Sequence, residues 1–396
     1  MTLPRIRLAP GRDAPLRGRH PWAFAGALAG SNSETEDGAE VEVVAADGTF
    51  VARGLYNGRS QVRVRLYAWD PVPLDEEFFR ARIAAALDLR NRTLGLGDPE
   101  GACRVVFSEG DGLSGLTVDR YGDYLAVQFT SLALARRQEM ILDVLEEALR
   151  PRGIVLRTEK GIREEEGLEL RDGVVRGDVP EEPFPIVDEG LSFLVDLRTG
   201  QKTGYYLDQR VNRVRTASYA SGRTVADVCT YTGGFALRAA AGGALSVVGV
   251  DRSEPALELA RANARRNGVD GVATFEKGDA FTWLQEAAAA ERRFGMIILD
   301  PPRFARTRRG VPEALKAYHR LNALALACME PDGILVTCSC SGRVGAADFV
   351  QALGRAAGEV GRDVQILETL GQAADHPVSA TCPETSYLKC LICRVR

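Results

Sequence analysis

The stretch Thr224-Val225-Ala226-Asp227-Val228-Cys229-Thr230-Tyr231-Thr232-Gly233-Gly234-Phe235 passes from an apolar run, through an acid, into a glycine-rich turn. Thr224 to Cys229 reads as a buried strand. A turn of this kind between strand and helix lets a ligand approach backbone N–H groups closely. The glycines do not follow Gly-x-Gly-x-x-Gly, which argues against a dinucleotide. Working outward from about Pro185, strands and helices alternate as a doubly wound α/β sheet requires. Further strands are expected at Leu245 to Val250, Val272 to Glu276, Met296 to Leu299 and Gly333 to Thr337. Helices are expected at Gly234 to Ala241, Glu254 to Asn267 and Pro312 to Met329. Ser253, Pro255 and Gly268 suit the cap, first turn and end of the second of these.

Ligands of such sheets bind outside the carboxyl ends of the strands, so polar residues at those ends are the candidates for function. Asp251 ends the second strand, where a carboxylate can accept both hydroxyls of a ribose. Asp279, after the third, is placed to meet an adenine amino group. The fourth and fifth strands end in Asp300-Pro301-Pro302-Arg303-Phe304 and Thr337-Cys338-Ser339-Cys340-Ser341. A thiol beside an acid suits chemistry on a pyrimidine. Carbon 5 is a poor nucleophile until a thiolate adds to carbon 6, and Asp300 can hydrogen-bond or protonate ring nitrogen 3. Cys338 and Cys340 have strand spacing, so periodicity does not choose between them. Counting from Gly333, Cys340 lies nearer the carboxyl edge, and Cys338 also suits a buried thiol.

At 396 residues and 45% apolar composition the chain has room for two or three domains. It has no apolar run long enough for a membrane span and an N-terminus unlike a signal peptide, so a cytoplasmic location is expected. Eight cysteines and three histidines include one Cys-x-x-Cys, Cys390 and Cys393, with no second pair. A metal site is therefore not expected, and the thiols should be free. The net charge of −4 argues against coating nucleic acid through bulk charge. Local clusters still suit phosphate contacts: Arg5 to Arg19, Arg53 to Arg65, and above all Arg303, Arg306, Arg308 and Arg309. Short β runs at Glu40 to Val44, Thr49 to Tyr56 and Gln61 to Leu66 suggest a small β module over 1–70. A helix at Asp75 to Arg92, a strand at Tyr124 to Thr130 and a helix at Ala135 to Leu149 lie in a mixed region, 74–182. Pro180 to Pro185 marks the boundary to the third domain, 185–396. No internal repeat is evident.

The order of turn and acids resembles class I S-adenosylmethionine-dependent methyltransferases. Gln201 to Arg210, Tyr231 to Phe235, Asp300 to Phe304, Ser339 to Gly342, Gln372 to Pro377 and the Glu109 to Gly115 turn together resemble the RlmI-type family. These are bacterial 5-methylcytosine methyltransferases of large-subunit (23S) ribosomal RNA. The resemblance implies an N-terminal PUA domain, a central α/β domain and a C-terminal Rossmann-like domain binding S-adenosyl-L-methionine. It implies Cys340 as nucleophile and a segment with Tyr206, Asp208 and Arg210 closing over the cofactor. The cofactor set is then completed by Asp227, Tyr231, Thr232, Gly233, Gly234, Phe235, Asp251, Asp279 and Asp300. The RNA would be protein-free or partly assembled, and the family allows a homodimer. Arg303 stands where many relatives have lysine, which keeps the charge. Two other readings fit parts of the chain: an exocyclic amino-group methyltransferase, which needs no cysteine, and a non-catalytic RNA-binding assembly factor.

Overall fold

The computed structural model describes residues 3–30, 34–158, 161–168, 170–200, 203–305 and 307–396. Arg306, Gln201 and Lys202 lie outside the described residues. The chain divides into two compact units. One holds the residues up to Ile186 together with Val195–Leu207 and Ala374–Thr385; the other holds Val187–Leu194, Asp208–Ala373 and Ser386–Arg396. Two stretches of the 185–396 region, Val195–Leu207 and Ala374–Thr385, group with the N-terminal half.

The first unit contains two five-stranded sheets among its described residues. Arg5–Arg7, Glu40–Val44, Phe50–Tyr56, Val62–Ala68 and Trp22–Phe24 form the first, in that spatial order, over a core of Ile6, Leu8, Val41, Val43, Val64 and Leu66. Ala102–Phe107, Leu116–Tyr121, Tyr124–Phe129, Gly153–Leu156 and Gly173–Gly177 form the second. The helices Glu76–Asp88 and Gln138–Leu149 pack against it with a core of its own. Asp75 caps the first helix by accepting from the Phe78 N–H at 3.1 Å. Buried polar bonds explain the two late additions to this unit. Arg90 donates to Asp111 and to the Asp375 carbonyl, and Asp375 accepts from the Arg104 N–H at 3.0 Å. The Tyr205 N–H donates to the Tyr121 hydroxyl at 3.2 Å. Each such bond, if broken, leaves a buried polar group without a partner, at a cost of about 1–3 kcal/mol.

The second unit is a seven-stranded sheet among the described residues. Its strands are β1 (Thr224–Val228), β2 (Ser246–Asp251), β3 (Ala273–Lys277), β4 (Phe294–Leu299), β5 (Met329–Ser339), β6 (Val364–Leu370) and β7 (Lys389–Val395). The order is β3-β2-β1-β4-β5-β7-β6, with β7 antiparallel to both neighbours. The helices are α1 (Arg210–Ala217), α2 (Gly234–Ala241), α3 (Glu254–Arg266), α4 (Ala280–Ala289), α5 (Val311–Ala327) and α6 (Ala346–Glu359). Strand order reverses between β1 and β4, which opens a crevice at their carboxyl ends. β5 runs two residues past the expected Thr337, so Cys338 lies inside the strand and Cys340 just beyond it.

The turn from β1 to α2 is strained. Cys229 and Tyr231 have φ of +69° and +52°, and Gly233 has +87°. A Cβ at Gly233 would stand 2.4 Å from Cδ1 of Leu237, which is fully buried and can yield only by repacking. Gly222 has a similar φ of +72° but nothing within 4 Å. Gly222→Ala is therefore expected to lose roughly 1 kcal/mol from left-handed strain alone. Gly233→Ala is expected to lose more than about 2 kcal/mol, because overpacking adds to the strain. Urea unfolding midpoints of the two variants check this, and equal losses would contradict it.

Candidate active site

Asp227 is the penultimate residue of β1 with its carboxylate fully buried. Oδ2 accepts from Thr230 Oγ1 at 2.5 Å and from the Ala236 N–H at 2.9 Å, and Oδ1 has no partner. Burial pushes its pKa up to about 7; the Thr230 bond opposes this and the charge of Asp300 adds to it. Asp251 closes β2 and fixes the turn, accepting from the Tyr231 N–H on Oδ2 and the Ser253 N–H on Oδ1, both at 2.9 Å. Asp300 follows β4, and its Oδ1 accepts from Gln209 Nε2 at 2.9 Å, while Asn212 holds Gln209 in turn at 2.6 Å. Asp279 caps α4 through Oδ1, which accepts from the Phe281 and Thr282 N–H groups. Its other oxygen lies 3.8 Å from Arg252. These acids converge: the Cys229 thiol is raised well above its ordinary pKa, first by burial and then by Asp251, Asp300, Asp227 and Asp279.

The remaining expected cofactor residues divide by role. Thr232 is buried, its carbonyl accepting from Asn263 at 3.1 Å and its hydroxyl without a partner. Gly234 and Phe235 lie under Arg213, which sits 5.8 Å from the Phe235 ring and would be 2.6 Å from a Cβ at Gly234. They serve packing. Arg210 is buried and donates from Nε to Asp188 at 2.9 Å, with Arg213 and Arg238 also close to that carboxylate. The sequence missed that ion pair, because Asp188 lies 22 residues earlier in the chain. Asp208 is buried and accepts from the Tyr387 hydroxyl at 2.6 Å. Tyr206 belongs to the other unit.

The structure separates the two thiols that spacing left equivalent. Cys338 is fully buried, pairs with Cys390 across β5 and β7, and is held protonated by that contact, by burial and by Asp300. It is a core thiol, which corrects its place among the catalytic candidates. Cys340 is half-buried at the strand end, 3.9 Å from the Pro301 carbonyl. The two loops meet at Ser341, whose hydroxyl accepts from the Ala305 N–H at 3.3 Å and bonds the buried Tyr318 hydroxyl at 3.0 Å. The Phe304 ring packs against Tyr318 at a tilt of 57°, with centroids 4.8 Å apart. The sequence reading gave Tyr318 no role and named Gln209 and Ser341 only within longer motifs; it is the fold that brings Gln209 to Asp300 and Tyr318 to Ser341. Arg303, Arg308 and Arg309 are exposed on the loop after β4.

Elsewhere, among the described residues, His20, Cys382 and Glu384 have a metal-ligand composition. The Trp22 N–H donates to His20 Nδ1 at 3.2 Å, so the neutral ring carries its proton on Nε2 and turns it to Glu384. That tautomer is a donor there, not a ligand. His319 pairs with Glu359 at 3.0 Å, and His376 with Asp375 at 2.9 Å. No helix of the described residues is long and apolar enough to cross a membrane.

S-adenosylmethionine carries a sulfonium and an ammonium. An acid-rich crevice with a buried, unpartnered Asp227 oxygen beside a glycine turn fits such a cation. Comparison with known proteins agrees. Residues 171–393 match the S-adenosylmethionine-dependent methyltransferase model, and residues 6–69 match a PUA-like domain. The chain is 39% identical over 393 residues to ribosomal RNA large subunit methyltransferase I of Erwinia tasmaniensis, covering 99% of each chain. It is 40% identical over 393 residues to the protein of that name from Aeromonas salmonicida, again covering 99% of each. A SAM-dependent methyltransferase from Streptococcus mutans shares the fold with a TM-score of 0.86 at 20% identity, over 99% of this chain and 100% of that one. So does the methyltransferase SMU.776 complexed with SAH, with a TM-score of 0.87 at 21% identity over all of both chains.

The raised pKa of Asp227 has a stability consequence. The folded state holds this proton more tightly than the unfolded chain, so stability falls as pH rises from about 4 to about 7 and is flat above. Asp227→Asn removes that loss. In cofactor-free protein the variant's urea midpoint is expected to gain on wild type across this window, by the equivalent of a few kcal/mol at most. Midpoints that run parallel with pH would contradict it. With a cationic cofactor site on the sheet's carboxyl edge and full-length similarity to named relatives, the chain belongs to the ribosomal RNA large subunit methyltransferase I family of S-adenosylmethionine-dependent methyltransferases.

Proposed function

We propose that the protein methylates carbon 5 of a cytosine in large-subunit (23S) ribosomal RNA through a covalent bond between Cys340 Sγ and carbon 6 of the base. The observation that carries this is the position of Cys340: the half-exposed thiol of the pair, beyond the end of β5, and tied through Ser341 to the loop that presents Asp300. Asp227, Asp251 and the turn from Tyr231 to Gly233 would hold the cofactor, with Asp279 at its adenine side. Bound there, S-adenosylmethionine supplies an electrophilic methyl group.

The chain's own residues do the rest. Cys340 as thiolate forms the bond to carbon 6, and the carbon 5–carbon 6 electron pair shifts so that carbon 5 becomes nucleophilic. Asp300, held by Gln209, hydrogen-bonds or protonates nitrogen 3 and stabilises the adduct. Once carbon 5 carries the methyl group, a base removes its proton, the double bond re-forms and the Cys340–carbon 6 bond breaks. An unpaired or extruded cytosine is the accessible substrate, so protein-free or partly assembled RNA is favoured. The PUA-like domain and the exposed Arg303, Arg308 and Arg309 suit the RNA backbone.

Labelled methyl transfer to protein-free large-subunit RNA, with the product nucleoside identified by mass spectrometry, tests the reading. Cys340→Ala is expected to lose more than about a thousandfold in rate. Cys338→Ala is expected to lose some stability and little activity. An N-methylated nucleoside, or full turnover by Cys340→Ala, would favour exocyclic amino-group chemistry. No methyl incorporation at all would favour an RNA-binding assembly role.

A further inference from the structure

Lys389 opens β7 directly opposite Ser339, in antiparallel register with the end of β5. Its half-buried ammonium donates to the Ser341 carbonyl at 2.7 Å and the Tyr387 carbonyl at 2.9 Å. The first anchor is the residue that follows Cys340, and both are neutral, which leaves one of the three N–H donors uncommitted. No carboxylate lies within ion-pair distance of it among the described residues. A buried ammonium without an anion is costly, and burial accordingly lowers its pKa to about 8; the opposing influence is the charge of Cys340. The anion this site calls for is the cysteine itself.

Other groups face the same thiol. Tyr318 of α5 is neutral, its hydroxyl pushed up to about 12 chiefly by burial. Cys338 beneath it stays protonated. Asp300, at the end of β4, brings a negative charge that disfavours a thiolate, and Arg303 of the same loop is exposed. Among these groups, Lys389 brings a favourable charge from β7.

We infer that Lys389 is the counter-ion of the Cys340 thiolate, a positioning residue whose ammonium, held by the Ser341 and Tyr387 carbonyls, keeps its positive charge beside the sulfur. The S–H bond breaks, the proton passes to solvent water, and the sulfur keeps its electron pair for attack, its negative charge offset by the ammonium. When the adduct collapses, the departing thiolate returns to the same ammonium. This rests on Cys340 being the nucleophile, yet its test does not need methyl transfer.

The test is the pH dependence of Cys340 alkylation by iodoacetamide in the full-length protein without RNA, read on the Cys340 peptide by mass spectrometry. Wild type is expected to show a midpoint below the ~8.5 of an ordinary thiol. Lys389→Met should raise that midpoint by about one unit, slowing alkylation at pH 7 about tenfold, and Lys389→Arg should restore most of it. If the methionine variant does not fold, Lys389→Gln replaces it. An unchanged midpoint in the neutral variant, or a wild-type midpoint at or above ~8.5, overturns the inference. A merely structural lysine would slow methyl transfer without moving the midpoint. Failure of the cytosine reading would appear in the product nucleoside and leave the midpoint where it is.

Discussion

One buried hydroxyl, that of Ser341, joins the two loops on which the chemistry depends. It takes the Ala305 N–H from the loop after β4 and the Tyr318 hydroxyl from α5, and Tyr318 is clamped between Phe304 and Phe349. Asp300 and Cys340 are therefore presented by loops that cannot drift apart without leaving buried polar groups unsatisfied, a penalty of about 1–3 kcal/mol for each. The acid gains a second restraint from the Asn212–Gln209 relay. Positioning of this kind matters because the geometry of attack tolerates little displacement.

Charge is arranged against stability and toward binding. Asp227, Asp251, Asp279 and Asp300 crowd the carboxyl edge around Cys229, and after burial the repulsion from Asp300 is part of why Asp227 is hard to ionise. A cationic ligand relieves that repulsion, so the same crowding that weakens the protein alone favours a sulfonium cofactor. The opposite arrangement holds nearby, where Asp188 accepts the buried arginines Arg210, Arg213 and Arg238 and fixes α1 and α2 to the segment before the sheet.

How far the sequence could be read follows from which features are local. Alternating strands and helices, the N-cap at Ser253 and the exact span of α2 come from short-range patterns, and they match the structure. The insertion of β7 between β5 and β6 does not, because sheet order is a long-range property and β6 exposes Ile366 and Leu367. Cys338 and Cys340 were indistinguishable by period; two further residues of β5 put one in the core and the other at the crevice. Arg210 entered the cofactor set through the family resemblance, and its buried bond to Asp188, 22 residues away, is not legible from either stretch alone. Asp251 and Asp279 were legible as strand-end acids, but their work in fixing the turn and capping α4 depends on backbone N–H groups that spacing does not reveal.

The central claim is a covalent intermediate on Cys340. RNA containing 5-fluorocytidine tests it most directly, because fluorine cannot leave carbon 5 as a proton and the adduct is trapped after methyl transfer. With S-adenosylmethionine present, the account predicts a denaturation-stable protein–RNA complex whose cross-linked peptide contains Cys340. Turnover of cytidine RNA with no trapped complex on the fluorinated RNA, or a cross-link mapped to another residue, would contradict it.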